Sequence, residues 1–234
     1  LNGTNDHDAV RDRYRRADGL ARSGRHEAAL AEYLWCYDEG MRQSPSFAGV
    51  RLSFLLSSIA KLGTQFPPAR AALALRREAA SAAARQPNVE PRVLAEFVAL
   101  NRVLGEAAES LKFFDALAPG DPRKRLLAWP LFAPLLAARR YAEVAAGVSF
   151  ADAQSTLEDY THLPTDGTSD MARRNQESAR QTFANFIEMF AGTGDLDHAR
   201  AIVARAVAFD ASPEARQLYR THLSRAGHPE LLPE

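Results

Sequence analysis

The chain has 234 residues, 46% hydrophobic and 25% charged, enough for a sizeable core in one extended domain or two small ones. Its 29 Lys and Arg balance 29 Asp and Glu, so no global field draws it toward nucleic acid or anionic lipid, and charged recognition must come from a local patch. A single cysteine, Cys36, excludes an intrachain disulfide framework and a cysteine-rich zinc site, and Arg and Glu interrupt every alanine-rich run before it is long enough to span a membrane.

In chain order, caps and breakers predict helices over 8–22, 26–43, 46–62, 68–85, 91–104 and 106–118. A helix over 122–138 is expected to break near Trp129, because Pro130 and Pro134 each remove a backbone donor and crowd the preceding turn. An interrupted helix over 141–161 follows, then helices over 170–191, 195–209 and 213–226. The last reads as a terminal cap with Leu218 and Leu223 turned inward. No strand is expected. The start at Leu1 rather than at a methionine carries the expectation of an upstream segment, which leaves localisation open between a cytoplasmic and an exported chain.

These helices repeat a grammar. Leu20 and Gly24 are followed by Ala29, Leu30, Tyr33 and Cys36, of which Ala29, Tyr33 and Cys36 share one helical face. Gly24 ends the preceding helix, since glycine adopts the left-handed cap without steric cost. The pattern returns at Phe190, Gly194, Ala199, Ile202, Val203 and Ala206, and again at Gly105, Ser110, Leu111, Phe114 and Leu117. A weaker copy places Arg139, 34 residues after Gly105, where the turn glycine stands, with Tyr141, Val144 and Val148 following.

This spacing and pattern resemble the tetratricopeptide repeat family, whose units are antiparallel helix pairs stacked into a right-handed superhelix. The resemblance implies an all-α fold, an α-α superhelix of about five helical hairpins plus a C-terminal capping helix, in a single domain over 1–234. It is sharpest around Gly24 and Gly194 and poorest around Gly63, and the steps of 39, 42 and 55 residues between other turns depart from the family period. Residues 149–170 do not fit the repeat. From Tyr141 to Asp170 the chain carries Glu143, Asp152, Glu158, Asp159, Asp166 and Asp170 but no Lys or Arg, so 149–170 reads as an irregular acidic insertion, either a solvated loop or a functional edge.

No catalytic or cofactor motif is present: no nucleophile elbow, zinc-protease helix, phosphate-cradling glycine loop or calcium loop. No cofactor and no metal are therefore expected. His26 and His198, just after turn glycines, read as helix-packing residues, and Glu158 with His162, one turn apart, as a surface ion pair or a catalytic pair. Cys36 reads as a buried, inert thiol, and Trp35 and Tyr37 cannot both enter one core stripe.

The resemblance assigns the concave surface to the first helix of each hairpin. Projecting that register places Arg11, Tyr14, Asp18 and Arg22 there from the first unit, Ser57 and Lys61 from the second, and Arg92 and Arg102 from the third. Such a groove favours an acidic peptide or a C-terminal carboxylate, unless the cations are only the solvated ends of an ordinary helix surface. The family's carboxylate-binding members combine lysine and asparagine at matching places, where this chain has Tyr14, Asp18 and Ser57, which argues against a chaperone-tail role. The expected function is a scaffold for a protein or peptide partner. The alternatives are a helical enzyme or small-ligand sensor with a pocket beside 149–170, and a self-associating module forming homo-oligomers.

Overall fold

The computed structural model describes residues 3–165 and 169–232, with the side chains of residues 3–8 and 161 left aside. It is all-helical, with no strand among the described residues, and no helix there is long and apolar enough to cross a membrane. The chain divides into two compact units, Leu1–Ala118 and Pro119–Glu234.

The first unit is built from helices that each pack on the next in sequence. Helices α1 (Gly3–Arg22) and α2 (His26–Gln43) form a hairpin. A 3-10 turn (Pro45–Phe47), one α-turn (Ala48–Val50) and a π-helical segment (Arg51–Leu55) then lead without a break into α3 (Leu56–Gly63). Helices α4 (Pro67–Ala84), α5 (Pro91–Leu104) and α6 (Ala107–Ala116) complete the unit. Pro67 and Pro91 open their helices at the first turn, where a missing N–H costs nothing. The α1–α2 interface buries Ala17, Ala29, Tyr33 and Cys36. Burial pushes the Cys36 thiol up to about 11, the mark of an inert sulfur. Trp35 and Tyr37 divide as the helical period requires: Tyr37 is buried, while Trp35 lies half-buried beneath the Arg13 guanidinium at 3.9 Å.

A polar lattice joins the layers of this unit. The Tyr37 hydroxyl donates to Glu96 of α5, and Arg51 donates from Nε to the Tyr37 carbonyl (2.8 Å) and from Nη2 to the same Glu96 carboxylate (2.6 Å). The Arg51 guanidinium also covers the Tyr37 ring at 3.9 Å. Burial, above all, holds the Tyr37 hydroxyl in its neutral form, far above its ordinary range; the nearby Arg51 charge opposes that shift without reversing it.

The second unit comprises α7 (Pro122–Ala128), α8 (Phe132–Ala137), α9 (Tyr141–Ala145), α10 (Phe150–Asp159), α11 (Asp170–Gly192), α12 (Leu196–Phe209) and α13 (Pro213–Ala226). The break expected near Trp129 falls between α7 and α8. Helix α11 is the centre of the unit: α8, α9, α10, α12 and α13 all pack on it. From Phe183 to Ala191 its side chains are buried almost all round, Asn185 being the only one of them that is not. The inward face of α13 is Ala215, Tyr219, His222 and Leu223; Leu218, expected inside, is only half-buried, because the apolar stripe is rotated toward α11.

Within 149–170, Phe150–Asp159 form α10 and Tyr160–His162 a 3-10 turn. Ser149 and Asp152 form a reciprocal capping box at the start of α10, and Ala153 and Leu157 are buried beneath it. Phe150 stacks on His198 at 4.0 Å between ring centres and meets Phe190 edge-on, so His198 is a packing residue as expected. Residues 166–168 of that segment lie outside the described residues.

One turn geometry recurs in both units. At Gly24, Gly105, Arg139 and Gly194, φ is 78°, 80°, 56° and 80°. In each case this residue's N–H bonds the carbonyl three back and the next N–H bonds the carbonyl five back, as in Arg139 to Leu136 and Arg140 to Leu135. Five and nine positions later come buried residues every time: Ala29 and Tyr33, Ser110 and Phe114, Val144 and Val148, Ala199 and Val203. Gly63 does not adopt this conformation. There the absence of a Cβ admits the backbone of Arg70, whose nitrogen lies 3.1 Å from where that Cβ would stand.

Asp210, after α12, closes the second unit electrostatically. It accepts from Arg180 Nε (2.6 Å) and Gln176 Nε2 (3.0 Å) of α11 and from the Ser212 N–H (2.9 Å). Burial pushes this carboxyl upward, but the Ser212 and Arg180 hydrogen bonds outweigh it and the net displacement is below its ordinary 3.8.

Two predictions follow from these turns and this carboxylate, each read from a tryptophan that reports one unit. Because the left-handed region costs a non-glycine residue about 1–2 kcal/mol, partly offset by glycine's chain entropy, Arg139→Gly should stabilise the second unit by about 0.5–1 kcal/mol. Urea midpoints from Trp129 fluorescence in a Trp35→Phe background measure it. A depressed folded-state carboxyl contributes stability that is present above its ordinary value and is lost as pH falls through the folded value. The stability deficit of Asp210→Asn should therefore be largest near neutrality and close below pH ~4, by the same readout.

Candidate functional site

Helix α1 and the run from Phe54 through α3 face one another with residue numbers rising together along both, so the two run in the same direction. Arg11 and Phe54 border one cavity, Tyr14 Oη and Ser58 Oγ are 2.9 Å apart, and Arg22 borders a second cavity with Lys61 and Gln65. Between them is a groove of two cavities, parted by the Tyr14–Ser58 hydrogen bond. Its first cavity, about 290 Å³, is lined by Arg11, Tyr14, Arg15, Phe47, Val50 and Phe54. Its second, about 450 Å³, is lined by Asp18, Ala21, Arg22, Tyr33, Ser58, Lys61, Leu62 and Gln65.

The floor between the cavities is aromatic and hydrogen-bonded. The Tyr33 hydroxyl reaches up from α2 and donates to Asp18 Oδ1 at 2.6 Å, and the Tyr14 ring sits 6.0 Å from Tyr33 and 6.5 Å from Phe47. Burial, reinforced by the Asp18 hydrogen bond and charge, raises the Tyr33 hydroxyl far above its ordinary value. Burial also raises Tyr14, against the lowering effect of the Ser58 hydrogen bond. Both phenols stay protonated at neutral pH, which fixes Tyr33 as the donor to Asp18. The rim is cationic: Arg22 and Lys61 are exposed and make no ion pair among the described residues.

Of the residues that the sequence register sends to a groove, the structure brings Arg11, Tyr14, Arg22 and Lys61 together here, with Asp18 beneath them. Ser57 points away. Its hydroxyl is exposed and donates to the Ser53 carbonyl of its own helix, and Ser58, one position on, lines the groove instead. Arg102 donates to the Leu52 carbonyl at 3.2 Å, and Arg92, at the start of α5, pairs with Glu90 at 2.7 Å. Neither borders the two cavities. Sequence reading did not single out Phe54, Arg15 and Gln65: the directions of Phe54 and Gln65 depend on how the lead-in to α3 is wound, and Arg15 borders the cavity only because that segment packs beside α1.

A second polar constellation lies in the other unit. Glu188 of α11 is fully buried, with His222 Nδ1 2.6 Å from Oε2, the Tyr141 hydroxyl donating to Oε1 at 3.1 Å and Arg225 Nη2 3.4 Å from Oε1. The His222 contact is ion-pair close but not aligned as a hydrogen bond. Gln181 Nε2 lies 3.3 Å from the other ring nitrogen, His222 Nε2. The signal for Glu188 was one carboxylate inside the apolar run Phe186, Ile187, Met189 and Phe190, with His222 and Arg225 three apart on a later helix. This carboxylate is sealed among its partners, whereas Asp152, Glu158, Asp159 and His162 sit on the outer surface. Among the described residues no His, Cys, Asp and Glu gather as a metal ion requires.

No protein-family model, curated protein or solved structure matches this chain. The groove and the buried carboxylate therefore stand on their own chemistry.

Removing one partner of a buried, charged cluster leaves the others uncompensated, so Glu188→Ala should lower the stability of the second unit by about 3–5 kcal/mol. Tyr141→Phe, which removes the hydroxyl that bonds Glu188 Oε1 at 3.1 Å and the Arg225 carbonyl at 3.4 Å, should cost about 1–2 kcal/mol in the same denaturation experiment.

Proposed function

We propose that the protein is an interaction scaffold of the tetratricopeptide type, holding a segment of a partner protein in the groove between α1 and α3. The observation that carries this reading is the second cavity, where two exposed cations, Arg22 and Lys61, stand over a floor whose own polar groups are already satisfied by one another. Groups fixed in advance lose little freedom on binding, and cations without an internal partner offer their charge outward. Layered hairpins in the first unit, first helices that run side by side, and a turn repeated down to its left-handed residue at Arg139 support the family reading. The partner expected is an acidic peptide segment, matched to the rim by charge. A pocket enzyme beside α10 draws no comparable support, since the carboxylates of that helix face solvent.

The test is selection of a random dodecapeptide display library on the full chain, followed by fluorescence anisotropy with the enriched peptides. The scaffold reading expects net-acidic peptides whose affinity falls about tenfold or more in Arg22→Glu/Lys61→Glu. Failure to enrich any peptide, or affinities indifferent to that double substitution, would remove it.

A further inference from the structure

The π-helical segment Arg51–Leu55 separates two side chains that do opposite things. A π turn holds one residue more than an α turn, which rotates the side chains before it against those after it. Arg51, at its start, turns inward and is anchored to the Tyr37 carbonyl and the Glu96 carboxylate. Leu55 and Leu56, at its end, are consecutive and both fully buried. Between these anchors Phe54 is left 69% exposed, although a phenyl ring is the largest apolar group in that turn. π segments are concentrated at functional sites, and this one presents an aromatic side chain on the wall of a cavity.

That cavity has the anatomy of an anchor pocket. Phe47 is fully buried beneath it and is held edge-on against Tyr14, so the floor is rigid, and about 290 Å³ leaves room for a large apolar side chain. The rim is Arg11 and Arg15. Arg15 is bonded to Asp12 on the exposed face of its own helix, and Arg11 makes no ion pair among the described residues. Arg22 and Lys61 stand at the far end of the groove. Arg11 and Arg22 are eleven residues apart in α1, about 16 Å at 1.5 Å per helical residue, a distance that about five residues of extended chain would span.

We propose, resting on the scaffold reading above, that Phe54 with Tyr14, Phe47 and Val50 forms the primary anchor site of the groove, and that its partner is an acidic segment carrying one aromatic or large aliphatic residue. The apolar side chain packs on Phe54 between Arg11 and Arg15. Carboxylates beside the anchor and about five residues along meet those arginines and the Arg22–Lys61 rim respectively. Charge complementarity selects this occupant, since an apolar pocket rimmed by arginines disfavours a basic helix and gives a neutral one no added gain.

The experiment compares the full chain with Phe54→Ser and with Arg22→Glu/Lys61→Glu, using the display-selected dodecapeptides as probes. Circular dichroism verifies that Phe54→Ser, an exposed position, keeps its helix content. The proposal expects a consensus of one aromatic or aliphatic residue among Asp and Glu, and a loss of affinity of at least about tenfold in Phe54→Ser. Replacing the consensus anchor by Ser in the peptide should cause a similar loss in the native chain and little further loss in Phe54→Ser. Binding that falls in Arg22→Glu/Lys61→Glu but not in Phe54→Ser would overturn the anchor site and leave the scaffold reading standing, whereas failure of every peptide would overturn both. Sedimentation showing a dimer that Phe54→Ser dissociates would assign the site to a second copy of the chain and likewise overturn the proposal.

Discussion

The guanidinium of Arg51 makes three contacts at once: a carbonyl of α2, a carboxylate of α5 and the face of the Tyr37 ring. Arginine suits this place because its planar fork satisfies two acceptors while its face covers an aromatic ring, which a lysine ammonium cannot do. Arg51 and Glu96 are both mostly withdrawn from water, so each depends on the other, and together they hold α2, α5 and the lead-in to α3 in one register. The groove inherits its form from that register. Ser58 faces Tyr14, Lys61 faces Arg22 and Phe54 faces Arg11 because the winding between Arg51 and Leu55 sets the rotation of the helix that carries them.

The second unit solves a different problem. A carboxylate at the centre of its central helix has no water, and its charge is met by side chains from two other helices, Tyr141 of α9 and His222 and Arg225 of α13. Tyr141 can approach only because Gly192 has no side chain: a Cβ there would lie 2.3 Å from the ring. Polar satisfaction and close packing are thus one constraint seen from two sides. Asp210 does the same work at the other end of α12, tying α11 to the start of α13 through Arg180, Gln176 and Ser212. Buried charges of this kind add less to net stability than hydrophobic packing does, but they penalise any arrangement in which their partners are displaced.

Much of this was legible one residue at a time. Prolines at first turns, Gly24, Gly105 and Gly194 at helix ends and the 3.6-residue spacing of apolar positions place the helices within a few residues, because those signals act over a single turn of chain. Even Arg139, a non-glycine at a left-handed cap, was placed by comparing its neighbours with those of the glycine turns. Signals of longer reach were weaker. The acidic stretch departed from the repeat without showing where it packs; Ser149 and Asp152 cap a helix whose two buried residues dock it on the core. On α13 the identity of the inward face turned on Tyr219 and His222, whose mixed character hides them from a count of apolar residues.

What the sequence determined alone is the set of helices, their turns and the all-α class, since each follows from backbone geometry and periodicity within a few residues of chain. What only the tertiary structure decided is which side chains converge. Ser57 and Ser58, or Arg102 and Lys61, are interchangeable to a pattern reader, but a π turn rotates one into the groove and a carbonyl in a neighbouring layer captures another. Glu188 finds His222 across 34 residues of chain for the same reason: long-range pairing depends on how helices settle against one another, and local propensity carries no record of that distance.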